Sequence, residues 1–300
     1  MNIVIVGQGA IGLLWYHQLS KNSNNRVSLL CSARITSLPP EILFTDLENR
    51  TTTTPLTLAN NTALSTADVI LFCVKSYQIS AALASIINCV NAKTTLIFCH
   101  NGMGAVNHLA TLSQPCYALL TTHGSKIITP FHAQHTGLGH NDLGLINSSL
   151  NAEVELEEQI VNTLAIALPS LTLSDNIKAK QWLKLAVNCV INPITAIDNV
   201  NNGQLLSEKY TTLIEQLLKE VIAVAACEDI RFDFNELKAK VLLVAKKTAE
   251  NCSSMRSDFL HQRPTEIDYI NGYIVKLAKN NKISVPKNEK MVRQVRKMTN

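Results

Sequence analysis

A glycine motif near the start of the chain restricts the folds that the sequence can adopt. The motif consists of Gly7, Gln8, Gly9, Ala10, Ile11 and Gly12. It follows the apolar run Asn2–Val6 and opens the amphipathic stretch Ala10–Leu19, which is the strand–turn–helix context that a dinucleotide-binding GxGxxG requires. There Gly7 permits the tight turn, Gly9 lets the backbone approach a pyrophosphate, and Gly12 lets the helix pack on the strand. Because the chain has only 11 glycines in 300 residues, we interpret this concentration as a nucleotide site; a glycine-rich turn without a ligand is the alternative.

The hydrophobic pattern divides the chain into two parts. Up to the predicted helix Glu153–Leu168, short apolar runs alternate with helix-like segments, which is typical of a parallel sheet covered by helices. The predicted strands are Asn2–Val6, Val27–Cys31, Leu56–Ala59, Asp68–Val74, Thr95–Cys99, Tyr117–Thr121 and Leu143–Ile146. The Thr51–Thr54 run is interpreted as a loop. We therefore predict an α/β fold that begins with a Rossmann-type dinucleotide-binding domain.

After Asn176 the pattern changes to a period of 3.6 residues, so the second domain is predicted to be all helical. Its predicted helices are Ile177–Ile191, Tyr210–Cys227, Asn235–Asn251 and Thr265–Asn280. Pro193 favours extended geometry at Asn192 and predicts that the first of these helices ends there.

Charge supports the same division. Residues 1–172 carry 7 Lys and Arg against 9 Asp and Glu, whereas residues 173–300 carry 20 against 14. We predict a Rossmann NADP-binding domain at 1–172 and a helical substrate-binding domain at 173–300, the latter attracting anions. No basic run is interleaved with aromatic residues, so a nucleic-acid partner is not expected.

Composition narrows the class of protein further. At 46% hydrophobic and 17% charged residues, the chain is typical of a globular protein rather than a disordered one. Its apolar runs are far shorter than the ~20 residues that cross a bilayer, and no secretory signal is visible, so no membrane partner is expected. The eight cysteines form no CxxC pair and no metal-ligand spacing, which favours reduced thiols in a cytoplasmic protein without a metal.

The end of the second predicted strand bears on the choice of nucleotide. An NAD site places an acid about 20 residues after the glycines to hold the ribose 2′-hydroxyl. Here the segment contains Ser32 and Arg34, and no acid occurs before Glu41. NADP(H) is therefore favoured over NAD(H), with an exposed loop cation as the alternative for Arg34. Lys75 and Asn101 also follow predicted strands, where ligands bind in open α/β sheets, although both residue types are common in ordinary loops.

A polar stripe marks the first helix of the second domain. Lys184, Asn188 and Asn192 are spaced by four residues in an otherwise apolar segment and so share one helix face. Asparagine donates and accepts hydrogen bonds, and lysine binds an anion or acts as a general acid. The stripe is typical of a helix that lines a ligand site; the alternative is an exposed lysine with asparagines that bond to nearby backbone.

Two further clusters are less specific on their residues alone. Adjacent Ser253 and Ser254 bind a carboxylate or cap a helix. Glu266, two residues after Pro264, suits the first turn of a helix for electrostatic reasons as well as function. Gly272 in the same predicted helix suggests close approach of another helix or a ligand.

Together these motifs resemble the ketopantoate reductase (2-dehydropantoate 2-reductase) family over essentially the whole chain. The resemblance rests on Gly7–Gly12, Val74-Lys75, His100–Gly104, Thr121–His123, Lys184–Pro193, Thr195–Ile197, Asn202-Gly203, Asn251, Ser253–Met255 and Thr265–Gly272. It implies NADPH-dependent reduction of 2-dehydropantoate to (R)-pantoate in pantothenate biosynthesis, the route to coenzyme A.

The resemblance also implies roles for individual residues. Lys184 matches the proton donor and substrate anchor, and Glu266 matches an acid near the cofactor ribose and the reaction centre. Substrate-binding positions are matched by Asn101, Asn188, Asn192, Asn202, Asn251 and Ser254. Further cofactor contacts are matched by Lys75, Asn101 and Ser125. The family's 2′-phosphate arginine aligns with Ser32, so Arg34 would have to act from two positions further on.

Two other functions remain open from the sequence. One is an NADP-dependent reductase of another 2-keto or β-hydroxy acid, and the other is a non-catalytic NADP(H) sensor. A sensor has no need for Lys184 and Glu266 together with the asparagines. The expected partner is a small-molecule substrate, and the expected assembly is a monomer or homodimer.

Overall fold

The computed structural model of the protein describes residues 1–35, 37–106, 112–147 and 154–299. The chain forms two compact units. The N-terminal unit comprises Met1–His100 and Val106–Ile177, and the C-terminal unit comprises Asn101–Ala105 and Lys178–Asn300. The assignment of domains to 1–172 and 173–300 stays a prediction.

Strands are confined to the N-terminal unit in the described part of the chain. They are β1 (Asn2–Val6), β2 (Arg26–Leu30), β3 (Glu41–Thr45), β4 (Thr51–Pro55), β5 (Val69–Phe72), β6 (Thr95–Phe98), β7 (Cys116–Thr121), β8 (Gly124–Thr129), β9 (His132–Gly137), β10 (Asn141–Leu145) and β11 (Leu171–Leu173). The helices of this unit are α1 (Ala10–Ser20), α2 (Asn61–Ser65), α3 (Ile79–Ile86) and α4 (Val154–Ala167). Glu153, where the sequence predicted α4 to begin, lies outside the described residues.

Seven strands form the main sheet, in the order β11-β10-β7-β6-β5-β1-β2. The five strands from β2 to β7 in this order run parallel, and β10 is antiparallel to β7. The central strands β5 and β6 are buried along their whole length, as expected for apolar runs covered by helices on both faces. The predicted Rossmann-type α/β fold is confirmed. The predicted strand Leu56–Ala59 is wrong, because that segment contributes only an isolated bridge between Leu29 and Leu58.

A second sheet, with the order β4-β3-β9-β8, was not predicted. The interpretation of Thr51–Thr54 as a loop is wrong, since these residues lie in β4; threonine is β-branched and favours strands. This sheet covers one side of α1, where His17 stacks on Phe44 with ring centroids 4.1 Å apart. Tyr16 donates its hydroxyl to the Pro55 carbonyl at 2.9 Å. Helix α1 is consequently buried on both sides rather than amphipathic.

The C-terminal unit is helical, as predicted. Its helices are α5 (Ile177–Asp198), α6 (Glu208–Ala226), α7 (Phe234–Lys247), α8 (Ser254–Leu260), α9 (Asn271–Asn280) and α10 (Pro286–Thr299). Its core is built from apolar side chains of α5, α6, α7, α9 and α10, with Trp182 fully buried. Among the described helices, none combines the length and the apolar character needed to span a membrane.

Three helix boundaries in this unit differ from the sequence prediction by more than two residues. Helix α7 ends at Lys247 rather than at Asn251. Helix α5 does not end at Asn192 but continues through Pro193 to Asp198. Pro193 has no N–H for the Cys189 carbonyl, and the Asn271 side chain donates to that carbonyl at 2.9 Å instead. The predicted helix Thr265–Asn280 begins only at Asn271, after a single 3₁₀ turn at Ile267–Tyr269.

Candidate active site

The three glycines of the motif meet three different constraints between β1 and α1. Gly7 has φ +108°, a conformation that side chains disfavour. A Cβ atom added at Gly12 would lie 1.9 Å from the Gly7 carbonyl oxygen, so only glycine lets the helix approach the strand. At Gly9 an added Cβ would have its nearest neighbour, the Cys73 carbonyl oxygen, 3.9 Å away. Packing therefore explains Gly7 and Gly12, whereas the bare backbone at Gly9 is left accessible to a ligand.

The N-terminus of α1 is suited to phosphate. Gly9 is its N-cap and has no side chain to bond to the first N–H groups, and no acid occurs in the first turn of α1. The partial positive charge of these N–H groups favours an anion. Ala10 and Ile11, the other predicted cofactor contacts of the motif, form the first turn and are half-buried.

Gln8 links the glycine motif to the end of β2. Its Oε1 accepts a hydrogen bond from the Ser32 backbone N–H at 3.1 Å. The Ser32 hydroxyl accepts one from the Arg34 backbone N–H at 3.4 Å, and both of these side chains are exposed. A turn with a hydroxyl, a guanidinium and no acid is chemically suited to a ribose 2′-phosphate.

Two other predicted cofactor contacts belong to the same unit. Lys75 follows β5, is half-buried, and donates its backbone N–H to Gln78 at 3.0 Å. Ser125 in β8 donates its hydroxyl to the Ala10 carbonyl at 3.0 Å, which brings it to the first turn of α1.

Burial raises the pKa of the Cys73 thiol beneath the glycine turn well above its usual range, with Cys99 adding to the shift. This thiol therefore stays protonated at neutral pH.

In the C-terminal unit, α5 carries the predicted polar stripe. Lys184 and Asn188 are half-buried and Asn192 is buried. The Nδ2 of Asn188 is buried and has no hydrogen-bond partner among the described residues. Since buried polar groups are normally hydrogen-bonded, this amide is suited to bind a polar ligand on the same face as Lys184.

Asn202 forms a second group with Asn251. The Asn202 backbone N–H donates to the Asn251 carbonyl at 3.1 Å, and its Nδ2 donates to the Thr248 hydroxyl at 2.9 Å. These bonds fix its amide, but its Oδ1 is buried and has no partner in the described ranges. The stripe thus offers an unsatisfied donor and Asn202 an unsatisfied acceptor, while the Asn251 side chain is exposed.

The two adjacent serines have different positions. Ser253 is the N-cap of α8 and accepts from the Arg256 N–H at 3.1 Å. Its hydroxyl also accepts from Thr195 of α5 at 2.7 Å, so it connects the two helices. Ser254 is exposed and is the serine of the pair that a substrate can reach.

Glu266 is 4% exposed and is held against the segment that follows β6. The Asn101 Nδ2 donates to its Oε2 at 3.3 Å. Next to this contact, the Met103 N–H donates to the Tyr269 carbonyl at 2.8 Å. A Cβ at Gly102, which has φ +78°, would lie 2.2 Å from the same carbonyl oxygen. The two segments are therefore locked together and present an amide and a carboxylate side by side.

Within each unit the predicted residues form local groups. In the N-terminal unit these join the glycine turn to Ser32 and Ser125; in the C-terminal unit they are the α5 stripe and the pairs Asn202–Asn251 and Asn101–Glu266. Within the described ranges, no group of three or more His, Cys, Asp or Glu side chains is arranged to hold a metal ion. The N-terminal unit has the chemistry of a phosphate cradle, and the C-terminal unit combines a cation, a buried carboxylate and several amides. The latter set can bind a small polar anion and move a proton.

Comparison with known proteins gives the family. Residues 3–148 match the family described as ketopantoate reductase PanE/ApbA, and residues 176–299 match its C-terminal counterpart. The 2-dehydropantoate 2-reductase of Vibrio cholerae is 37% identical over 300 residues, covering 99% of this chain and 97% of that protein. The chain belongs to the ketopantoate reductase family.

Solved structures share the fold. The structure of D-mandelate dehydrogenase with NADH and anilino(oxo)acetate has a TM-score of 0.90 at 22% identity, covering 100% of this chain and 98% of that one. A PanE/ApbA family ketopantoate reductase from Ralstonia eutropha has a TM-score of 0.86, also at 22% identity and with the same coverage. This chain therefore shares its fold, a Rossmann-type sheet followed by a helical region, with both a dehydrogenase and a reductase.

Sequence reasoning missed the residues that hold the predicted ones in place. Thr248 fixes Asn202 from 46 positions away, and Thr195 reaches Ser253 across 58 positions. Asn271, which bonds to α5, is 82 positions from its partner. No local pattern signals such pairs, because each member alone is an ordinary helix or turn residue.

Proposed function

We propose that the protein reduces 2-dehydropantoate (ketopantoate) to (R)-pantoate with NADPH, the step that supplies pantothenate and hence coenzyme A. The proposal is carried by the stripe of Lys184, Asn188 and Asn192 on one helix, in a chain of the ketopantoate reductase family. The unsatisfied Asn188 amide supports a polar ligand at this helix.

NADPH supplies the hydride when it is bound. The residues that would hold it are Gly7, Gln8, Gly9, Ala10, Ile11, Gly12, Ser32, Arg34, Lys75, Asn101, Ser125 and Glu266. The open backbone at Gly9 and the uncapped start of α1 fit a pyrophosphate. Exposed Ser32 and Arg34, with no acid beside them, fit a 2′-phosphate and support NADPH over NADH.

Lys184 is assigned as the proton donor. As hydride reaches the 2-carbonyl carbon of the substrate, the carbonyl oxygen becomes an alkoxide and takes a proton from the Lys184 ammonium. A cationic donor both transfers the proton and stabilises the developing negative charge. Asn188, Asn192 and Asn202 orient the substrate by hydrogen bonds.

The remaining residues bind the two ends of the substrate. Ser254, beside Asn251, is assigned to the substrate carboxylate. Glu266 accepts a hydrogen bond from the substrate hydroxyl and from the cofactor ribose, with Asn101 holding its carboxylate in place. The positive balance of residues 173–300 favours an anionic substrate.

The test is a steady-state assay of NADPH oxidation by the purified protein over a panel of 2-oxo acids. Ketopantoate, 2-oxoisovalerate (which lacks the hydroxymethyl group) and phenylglyoxylate form the panel, each with NADPH and with NADH. We expect kcat/KM for ketopantoate to exceed the others by on the order of 100-fold or more, because a site built to bond to the substrate hydroxyl rejects analogues without it.

The other outcomes separate the alternatives. A higher kcat/KM for phenylglyoxylate or 2-oxoisovalerate would assign the protein to another 2-oxo acid; this alternative is favoured by the fold shared with D-mandelate dehydrogenase. NADPH binding without turnover of any panel member would instead support a sensor. The cytoplasmic location and the monomer or homodimer state stay predictions, and light scattering of the purified protein checks the latter.

A further inference from the structure

Helix α5 contains a proline, Pro193, in its interior. A proline inside a helix has no N–H to give to the carbonyl four residues earlier, and its ring displaces that carbonyl. Here the freed acceptor is the Cys189 carbonyl, one residue after Asn188. The Asn271 Nδ2 donates to it at 2.9 Å. An amide from α9 thus completes the hydrogen bonding of α5 at the point where the helix carries its polar stripe.

Asn271 belongs to a buried chain of hydrogen bonds. Its Nδ2 also donates to the Asn288 Oδ1 at 2.9 Å, and the Asn288 Nδ2 donates to the Glu220 carboxylate at 2.8 Å. Glu220 further accepts the backbone N–H groups of Lys287 and Asn288 at the start of α10. Both asparagines are 0% exposed. The hydrogen bonds through Asn288 to Glu220 therefore hold the Asn271 side chain in place against α5.

The other side of Asn271 leads to Glu266. Asn271 is the first residue of α9, and the preceding residue, Ile270, donates its N–H to the Glu266 carbonyl at 3.1 Å. The same short segment therefore contacts α5 through Asn271 and carries Glu266 at its other end. Asn271 therefore connects α5, which carries the stripe, to the segment that carries this carboxylate.

We propose that Asn271 is a positioning residue for the reduction: by taking the carbonyl that Pro193 leaves free, it sets the placement of Asn188 and Asn192 relative to Glu266. This inference rests on the proposed function. It predicts that Asn271 and Pro193 act as a pair, since the amide is needed at α5 only because the proline is present.

The experiment is a double-mutant cycle on the full-length protein with Asn271→Leu and Pro193→Ala. Leucine has similar bulk but no donor, and alanine at 193 restores the main-chain N–H to the Cys189 carbonyl. Asn281→Leu is the matched control, because the exposed Asn281 side chain donates to the nearby Leu277 carbonyl at 2.9 Å and lies just after the end of the same helix. The readouts are kcat, KM for ketopantoate, the NADPH dissociation constant and the midpoint of thermal unfolding.

We expect Asn271→Leu to lower kcat/KM for ketopantoate by about 10- to 100-fold, as misplacement of catalytic groups by about 1 Å does. The NADPH dissociation constant should change far less than kcat/KM, because most of the assigned cofactor contacts lie in the N-terminal unit. In the Pro193→Ala background, Asn271→Leu should lower kcat/KM for ketopantoate by less than about threefold. Such a difference between the two backgrounds is the coupling expected of residues that share one partner. Pro193→Ala and Asn281→Leu alone should retain activity close to that of the wild type.

Three results would overturn the inference: wild-type kinetics for Asn271→Leu, an equal loss in both backgrounds, or a loss of NADPH binding. An equal loss would mean that Asn271 acts only through Asn288 and α10. If Asn271→Leu alone does not fold, the double variant decides, because it should fold and turn over like Pro193→Ala. If the wild type does not reduce ketopantoate, the proposed function fails, and the thermal midpoints still report whether Pro193→Ala reduces the loss caused by Asn271→Leu.

Discussion

The two units of the molecule present their candidate functional groups in different ways. In the N-terminal unit the site is mainly backbone: the turn at Gly7, the open main chain at Gly9 and the N–H groups of α1. In the C-terminal unit the candidate groups are side chains. They are Lys184 and Asn188 on α5, and Glu266, which accepts a hydrogen bond from Asn101. We therefore expect the N-terminal unit to be impaired by substitutions that add side-chain atoms to its glycines. We expect the C-terminal unit to be impaired by substitutions that remove functional groups.

This difference has a physical origin in the two ligands. A pyrophosphate is bound by several N–H groups at once, so the protein must expose main chain, and glycine does so. A reacting carbonyl needs one proton donor and directional hydrogen bonds, which only side chains of defined type supply. Four experiments test this contrast, in order of decreasing expected effect.

Removing one cation from the C-terminal unit should have the largest effect. Lys184→Ala is expected to lower kcat by about 10²- to 10⁴-fold, since it deletes the proposed general acid. Stopped-flow measurement of hydride transfer at saturating NADPH checks this. Lys178→Ala is the control, because Lys178 lies on the same helix but is exposed and bonds to Glu228 at 3.1 Å. Near-normal turnover by Lys184→Ala would contradict its assigned role.

Adding one carbon to the N-terminal unit should be nearly as damaging, but only at the right glycine. Gly12→Ala is expected to destabilise the unit by about 3 kcal/mol, because the new Cβ meets the Gly7 carbonyl at 1.9 Å. Gly137→Ala is the control, since nothing lies within 4 Å of its added Cβ. Gly9→Ala should leave the unfolding midpoint unchanged and weaken NADPH binding. Equal stability of the Gly12 and Gly137 variants would refute the packing role of Gly12.

Acid should lower the stability of the N-terminal unit more than that of the C-terminal unit. Burial, with a smaller contribution from Lys21, lowers the pKa of His17 to about 4, against about 6.5 in an unfolded chain. The neutral imidazole is favoured in the folded state, so the stabilisation is complete above pH 6.5 and is lost as the pH falls toward 4. The loss amounts to about 3 kcal/mol. Burial also lowers the pKa of His123 and His135, which adds to the effect in the same unit.

The two tryptophans allow this pH effect to be assigned to a unit. Trp15 lies in the N-terminal core and Trp182 in the C-terminal core. Urea unfolding of Trp15→Phe and Trp182→Phe, followed by fluorescence between pH 7 and pH 4, should show the stronger pH dependence for the variant that retains Trp15. His17→Gln should reduce it, whereas His261→Gln, at an exposed site, should not. The same pH dependence in both tryptophan variants would be evidence against this assignment.

The smallest effect is expected from Arg34, because the candidate cofactor site of the N-terminal unit consists mainly of backbone groups. Arg34→Ala should raise KM for NADPH by about tenfold and leave KM for NADH unchanged, since a single exposed charge-assisted hydrogen bond is lost. Arg26→Ala, at an exposed site on β2, is the control. An unchanged ratio of the two KM values would mean that the 2′-phosphate is bound by other groups.

The sequence predicted what local patterns can encode. The glycine motif and the Lys184–Asn188–Asn192 stripe are defined by neighbours within one strand, turn or helix, and both lie on the elements expected. The helical nature of the second unit follows from periodicity in the same way. The site roles of these residues stay predictions.

The elements that were missed depend on distant partners. Strand β3 pairs with β9, so that Leu43 lies beside His132, and neither strand alone has the apolar pattern of a buried strand. The continuation of α5 past Pro193 depends on Asn271, which a local rule about proline does not include. Residues whose conformation is decided by contacts far along the chain are the ones that a single sequence does not reveal.

The burial of α1 on both sides has a consequence for synthesis on the ribosome. The whole of α1 has been synthesised once the ribosome reaches Ser20. Strands β8 and β9, which pack against it, are synthesised much later, because they lie within Gly124–Gly137. An isolated helix as short as α1 is only marginally stable in water by itself. During translation the nascent chain therefore carries an uncovered hydrophobic segment until more than a third of the protein has been made. The interval favours chaperone binding and makes folding of this unit late and cooperative.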